Sequence, residues 1–226
     1  MLKRAVYAGF LIAAITVSAF GKSAVKGSGT LESVMRRVAE QQKKTRTLQA
    51  DFIQEREIAL LSKPEVSTGT FVYSKPNNVL WRYDAPKPVT MLISKGMMTT
   101  YYPQLQKAET AQVKRFEERI FKYMGASGAI EELTRYFNFT FIESKGKPFY
   151  TMELIPKTKM IARRVRRIKI WIDRETYLTT KFEYVEGDGD LTRYEFKNVR
   201  FNQDVPQSLF AINLPAGVPV QQMKLE

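Results

Sequence analysis

The first candidates in this sequence for carrying out a reaction are carboxylates. Glu117-Glu118, Glu131-Glu132 and the pair Asp188 and Asp190 are the acidic groupings, and two carboxyls set across a scissile bond are what glycoside hydrolysis requires. Their spacing argues against that use. The two Glu pairs fall in stretches of helical periodicity, where adjacent side chains point about 100° apart and cannot face one substrate together. Asp188 and Asp190 fall in the run Glu186-Gly187-Asp188-Gly189-Asp190, where aspartate suits a turn for conformational reasons. The chain of 226 residues contains no Cys and no His. That removes Ser-His-Asp triads, imidazole acid-base chemistry, thiol nucleophiles, disulfides and ordinary structural zinc sites. Carboxylate or Ser-Lys chemistry is what remains of the catalytic menu, and the reading is a protein that is not an enzyme, with no cofactor and no metal. Without Cys the chain also cannot carry the acyl anchor of a bacterial lipoprotein.

The beginning of the chain says where it works. Met1-Leu2-Lys3-Arg4 is basic, and Ala5 to Phe20 is uncharged and mostly apolar, short for a membrane span but suited to a secretory leader. Small residues at Ala19 and Gly21 place the cut after Gly21, so residues 1–21 are expected to be a signal peptide and 22–226 a single domain; a retained membrane anchor is the rival. Cleavage takes Lys3 and Arg4 off a formal charge of +13. In an exported protein that charge points away from nucleic acid and toward anionic headgroups or an acidic partner. Its densest run, Arg163-Arg164-Val165-Arg166-Arg167-Ile168-Lys169, is expected to be a solvated strand edge whose charges discourage sheet-to-sheet pairing.

Periodicity then orders the elements. Leu31, Val34, Met35 and Val38 recur at helical spacing from a Thr30 cap to about Lys44. Period-two runs follow around residues 48–53, 68–74, 79–84, 89–94 and 97–102, with Lys95-Gly96 as a tight hairpin turn. Between about Val113 and Tyr136 the helical period returns, broken at Gly125 to Gly128. Strands resume through Phe139, Tyr150, Ile168, Phe182 and Tyr194. Hairpin-length gaps imply antiparallel pairing, and that many strands in one chain must curl. The fold class is therefore mainly β with helices (α+β): an incomplete antiparallel β-barrel of about 10–11 strands, with the central helices as its cover. The 14 Phe, 11 Tyr, 2 Trp and 9 Met fall largely on one face of successive strands. Such a stripe makes either an ordinary core or the lining of a cavity for an apolar ligand.

Thr47-Leu48-Gln49-Ala50-Asp51-Phe52-Ile53-Gln54, Gly69-Thr70-Phe71-Val72-Tyr73-Ser74-Lys75-Pro76-Asn77, Leu80-Trp81-Arg82-Tyr83 with Pro86, and Phe210 with Leu214-Pro215-Ala216-Gly217-Val218 resemble, in order and spacing, the periplasmic outer-membrane lipoprotein carrier family LolA. The resemblance implies a half-barrel with a helical lid that holds lipoprotein acyl chains in the periplasm. It also implies loading by an inner-membrane LolCDE-type transporter and delivery to a LolB-like acceptor, by a monomer that binds no nucleic acid. On that reading Phe71, Tyr73, Trp81, Tyr83, Met91 and Ile93 line the sheet side of the cavity, and Phe116, Ile120 and Tyr123 line the lid. Lys75 stands where the family carries an Arg that latches the lid, offering a point charge in place of a planar fork. Val79 stands where relatives often carry a bulkier aromatic. The alternatives are a periplasmic sensor or general lipid binder of the same fold, expected to append a second domain, and a carboxylate-dependent hydrolase.

Overall fold

A computed structural model describes residues 31–113, 136–142 and 146–223. The leader 1–21 and the central helices expected between Val113 and Tyr136 lie almost wholly outside them. Helix α1 (Leu31–Lys44) opens the described chain and is followed by β1 (Thr47–Glu57), β2 (Glu65–Ser74), β3 (Asn78–Ala85), β4 (Val89–Ser94), β5 (Met97–Tyr102) and β6 (Lys107–Gln112). After the central segment come β7 (Phe137–Ile142), β8 (Phe149–Pro156), the single-turn α2 (Lys159–Ala162), β9 (Val165–Asp173), β10 (Thr179–Glu186), β11 (Leu191–Phe201) and β12 (Val220–Met223). The strands are hydrogen-bonded in the order β12-β6-β5-β4-β3-β2-β1-β11-β10-β9-β8-β7, an open sheet with β12 and β7 at its ends. From β2 to β6 and from β7 to β11 each strand runs antiparallel to the next, whereas β12 joins β6 in parallel. This is the mainly β, open antiparallel architecture expected from the sequence, with β6 and β12 added to the expected strands.

The described residues group into two compact units, and β1 and β11 each contribute to both. One unit holds α1, the second half of β1 and β7 to the first half of β11. Its helix buries Val34, Met35, Val38 and Ala39, with Glu32 in the first turn and Lys43 and Lys44 in the last, the charge order that the helix dipole favours. The Arg37 guanidinium sits 5.3 Å from the centre of the Tyr177 ring. Along β8, β9 and β10 every second residue is buried: Tyr150, Met152 and Leu154; Ile168, Ile170 and Ile172; Phe182 and Tyr184. The cross-strand register Met152 to Ile170 to Phe182 puts them on one face.

The opposite face corrects the expectation for the basic run. β9 is not a strand edge, since β8 and β10 flank it. Its charges stand on an interior strand and are in part neutralised there: Arg167 reaches Glu153 at 3.8 Å and Glu183 at 3.6 Å, and Glu183 also meets Arg193 at 3.3 Å. Burial works against the Arg193 charge, but hydrogen bonds to Glu183 and Glu55 outweigh it and raise its pKa above the usual value. Charge in the sequence here is packing between strands, with opposite signs placed across the ladder.

The other unit holds the first half of β1, nearly all of β2, β3 to β6, the second half of β11 and β12. The Lys95-Gly96 turn between β4 and β5 takes positive φ at both residues, 52° and 76°, the twist that a two-residue hairpin needs. Both faces of β2, β3 and β4 are buried. One carries Val72, Leu80 and Leu92, closed over by Phe210 with Val205 and Ile212 from the segment after β11. The other is aromatic.

Candidate functional site

The aromatic face is built row by row from strand register. Phe71 on β2 stands opposite Trp81 on β3, and Trp81 opposite Met91 on β4; Tyr73 stands opposite Val79, and Val79 opposite Ile93. Tyr83 follows two residues after Trp81 and faces Gly69 across the ladder. All six sheet-side residues expected to line the cavity, Phe71, Tyr73, Trp81, Tyr83, Met91 and Ile93, are therefore on one face and buried, Trp81 to 2% exposure. Val79, in register between Tyr73 and Ile93, is buried with them.

The rings form one connected cluster. Phe52 from β1 lies 4.9 Å from both Trp81 and Tyr83, edge-on to each. Phe71 lies 4.7 Å from Trp81, and Phe196 from β11 lies 6.0 Å from both Phe71 and Trp81. Phe52 can reach β3 across the intervening β2 because β2 has no side chain at Gly69. An added Cβ there would stand 2.8 Å from the Phe52 ring and 1.9 Å from the Arg82 carbonyl oxygen. Edge-to-face and tilted ring pairs of this kind are favoured over face-to-face stacks by the aromatic quadrupole.

The same face continues onto β5 and β6, where the sequence reading placed no site residues. Met98 opposes Ile93 and Ala111; Thr100 opposes Met91 and Glu109; Tyr102 opposes Lys107. Thr100 and Glu109 are each 1% exposed. Glu109 accepts from Lys107 Nζ at 3.1 Å and from the Tyr102 hydroxyl at 3.4 Å, and the Lys107 ammonium lies 5.1 Å from the centre of the Tyr102 ring. This polar cluster borders an otherwise apolar surface. The alternation Met98, Thr100, Tyr102 is visible in the sequence of β5, but Lys-Ala-Glu-Thr-Ala-Gln has no hydrophobic stripe to mark β6, so Glu109 carried no signal.

Burial sets the electrostatics of the face. It pushes the Tyr73 phenol up to about 12. Lys75 is the first residue after β2. Its backbone N–H donates to the Arg46 carbonyl at 2.9 Å, and burial lowers the pKa of its ammonium. Phe116, Ile120 and Tyr123, expected on the lid, lie outside the described residues, as do Glu117, Glu118, Glu131 and Glu132.

Asp188 and Asp190 sit in the β10–β11 turn. Asp188 Oδ1 accepts from the Asp190 N–H at 3.3 Å, and Asp190 Oδ1 accepts from the Ala59 N–H at 3.1 Å, tying the β1–β2 loop to this turn. Asp190 Oδ2 also lies 4.0 Å from Arg56. Among the described residues no three acidic side chains converge on a point that could hold a metal ion. Neighbouring Glu186 bears the cost of the arrangement: burial raises its pKa, Arg56 lowers it, and Asp188 and Asp190 raise it further, for a net rise. A raised carboxyl pKa means that the folded state keeps its proton to higher pH than the unfolded chain does. Stability is then lost as pH rises from the ordinary carboxyl value through the raised one. Glu186→Gln is expected to raise the melting temperature near neutral pH by about 1–2 °C, and the gain should vanish below about pH 4. Thermal melts across that range check it, and a gain independent of pH would refute the assignment.

A profile described as "Outer membrane lipoprotein carrier protein LolA" matches residues 43–213. An outer-membrane lipoprotein carrier protein of Methylococcus capsulatus is 29% identical over 184 residues, covering 79% of this chain and 83% of that one. One from Pseudomonas fluorescens is 26% identical over 180 residues, with the same shares. The crystal structure of an uncharacterized conserved protein from Thermus thermophilus shares the fold at a TM-score of 0.56 and 6% identity, covering 85% of this chain and 98% of that one.

Proposed function

Since the chain belongs to the outer-membrane lipoprotein carrier family LolA, we propose that it works in the periplasm as a carrier whose aromatic face holds the acyl chains of lipoproteins. The observation that supports this reading is the face itself: Phe71, Tyr73, Trp81, Tyr83, Met91 and Ile93 form one contiguous apolar surface across three strands, while the other face of those strands is closed by Phe210 and its neighbours. A carrier is needed because each acyl CH₂ contributes roughly 0.8 kcal/mol to membrane anchoring, so several long chains make escape through water negligible. The ring faces offer broad apolar contact that no single direction of approach is needed to satisfy, which suits chains that must be both held and released. On this reading the protein performs no catalysis. It receives lipoprotein from an inner-membrane LolCDE-type transporter and passes it to a LolB-like acceptor.

The experiment is ligand identification joined to a local probe. Protein purified from a periplasm in which the transporter is overproduced should carry acylated peptide detectable by mass spectrometry. The chain has two tryptophans, so Trp171→Phe leaves Trp81 as the sole indole. Titration with a triacylated lipopeptide should shift its emission, while the Trp81→Phe variant should stay silent. An empty protein together with an unresponsive Trp81 would sink the reading.

A further inference from the structure

We infer that the connector between β8 and β9 is a contact site for an anionic membrane surface. From Lys157 to Ile172 the chain contains seven Lys or Arg and no acidic residue. Some of these are engaged within the fold: Arg167 pairs with Glu153 and Glu183, Arg166 donates to the Gly187 carbonyl, and the Lys169 ammonium lies 5.4 Å from the centre of the Trp171 ring. Lys159, Arg163 and Arg164 are exposed and have no carboxylate within 4 Å among the described residues. Between them α2 buries nothing and presents Met160 at 75% exposure. Tyr136 and Ile155 are also exposed nearby, and the Lys157 N–H donates to the Tyr136 carbonyl at 2.8 Å.

The connector is held in place without these side chains. The Gly187 N–H donates to the Arg164 carbonyl at 3.0 Å, and a Cβ on Gly187 would stand 1.7 Å from the Arg163 carbonyl oxygen, so only glycine permits this seat. Thr158 Oγ1 accepts from the Ile161 N–H at 3.4 Å. A backbone fixed from behind, with cations around one exposed thioether, leaves these side chains out of folding. A protein partner would need a shaped surface for Met160. A bilayer interface needs no shape: the apolar tip enters the acyl boundary and the cations remain among the phosphates. That fit, with a run of positive charge that no acidic residue interrupts from Lys157 to Ile172, selects an anionic lipid surface as the occupant.

The test is co-sedimentation of the full mature chain with vesicles of phosphatidylcholine alone or with about 30% phosphatidylglycerol, in low and high salt. Wild type should bind only the anionic vesicles and be released by salt as the charges are screened. Combined Lys159→Glu, Arg163→Glu and Arg164→Glu should weaken partitioning about a hundredfold, and Met160→Ser several-fold, with unchanged circular dichroism. If the triple variant does not fold, Met160→Ser and the wild-type salt series decide. Equal binding to neutral vesicles, indifference to the substitutions, or capture by an acidic peptide with no vesicle binding would each overturn the proposal. No lipoprotein enters the assay, so its failure would leave the carrier reading standing, and an empty aromatic face would leave this one standing.

Discussion

Gly69→Ala is expected to destabilise the protein by about 3 kcal/mol or more, a fall of roughly 6–12 °C in melting temperature for a chain of this size. The cause is not conformational freedom, because Gly69 has no positive φ. It is space. The new methyl would stand 1.9 Å from the Arg82 carbonyl oxygen and 2.8 Å from the Phe52 ring. A ring can swing away, but a carbonyl within the β2–β3 ladder moves only if the ladder moves. Phe52→Ala is therefore expected not to rescue Gly69→Ala. It should add a loss of its own, since it removes the ring that bridges β1 to Trp81 and Tyr83. Thermal or urea melts of the two single variants and the double variant check this. Recovery of stability in the double variant would show that the ring, and not the carbonyl, sets the constraint.

That glycine shows how far the sequence could be read. The strands around it were legible because Phe71, Tyr73, Val79, Trp81 and Tyr83 alternate strictly, and strand alternation translates directly into a shared face. The Lys95-Gly96 turn was legible for the same local reason. What Gly69 does was not legible, because its role depends on Phe52, which comes from a different strand. β6 and β12 were missed on another ground: Lys-Ala-Glu-Thr-Ala-Gln and Val-Gln-Gln-Met hold their places by backbone pairing, Ala108 to Val220 through Ala111 to Met223, and backbone pairing leaves no hydrophobic period. With β6 went Glu109, whose burial beside Tyr102 and Lys107 no composition rule would suggest. The basic run on β9 was misplaced to an edge because its acidic partners, Glu153 and Glu183, lie on neighbouring strands.

Trp81→Ala should have the largest effect on both stability and ligand holding. Trp81 is buried at the centre of the ring cluster, with Phe52 at 4.9 Å, Phe71 at 4.7 Å and Phe196 at 6.0 Å, and replacing such a side chain by alanine costs about 3–5 kcal/mol. Stability alone does not separate a core residue from a cavity wall, since both readings expect the loss. Ligand-linked stability does. A ligand at a hundred times its dissociation constant raises stability by roughly 2.7 kcal/mol, whatever the protein's own baseline. Wild type should therefore melt higher with a triacylated lipopeptide than without it. The milder Trp81→Phe variant, which keeps a ring but loses the indole's breadth, should retain most of its fold and gain markedly less from the same ligand. Trp171→Phe, a change on β9 at a ring flanked by the Lys169 and Lys181 ammoniums, should gain as much as wild type. An undiminished ligand shift in Trp81→Phe would mean that the cluster is packing alone, and that the acyl chains, if carried, lie against other residues.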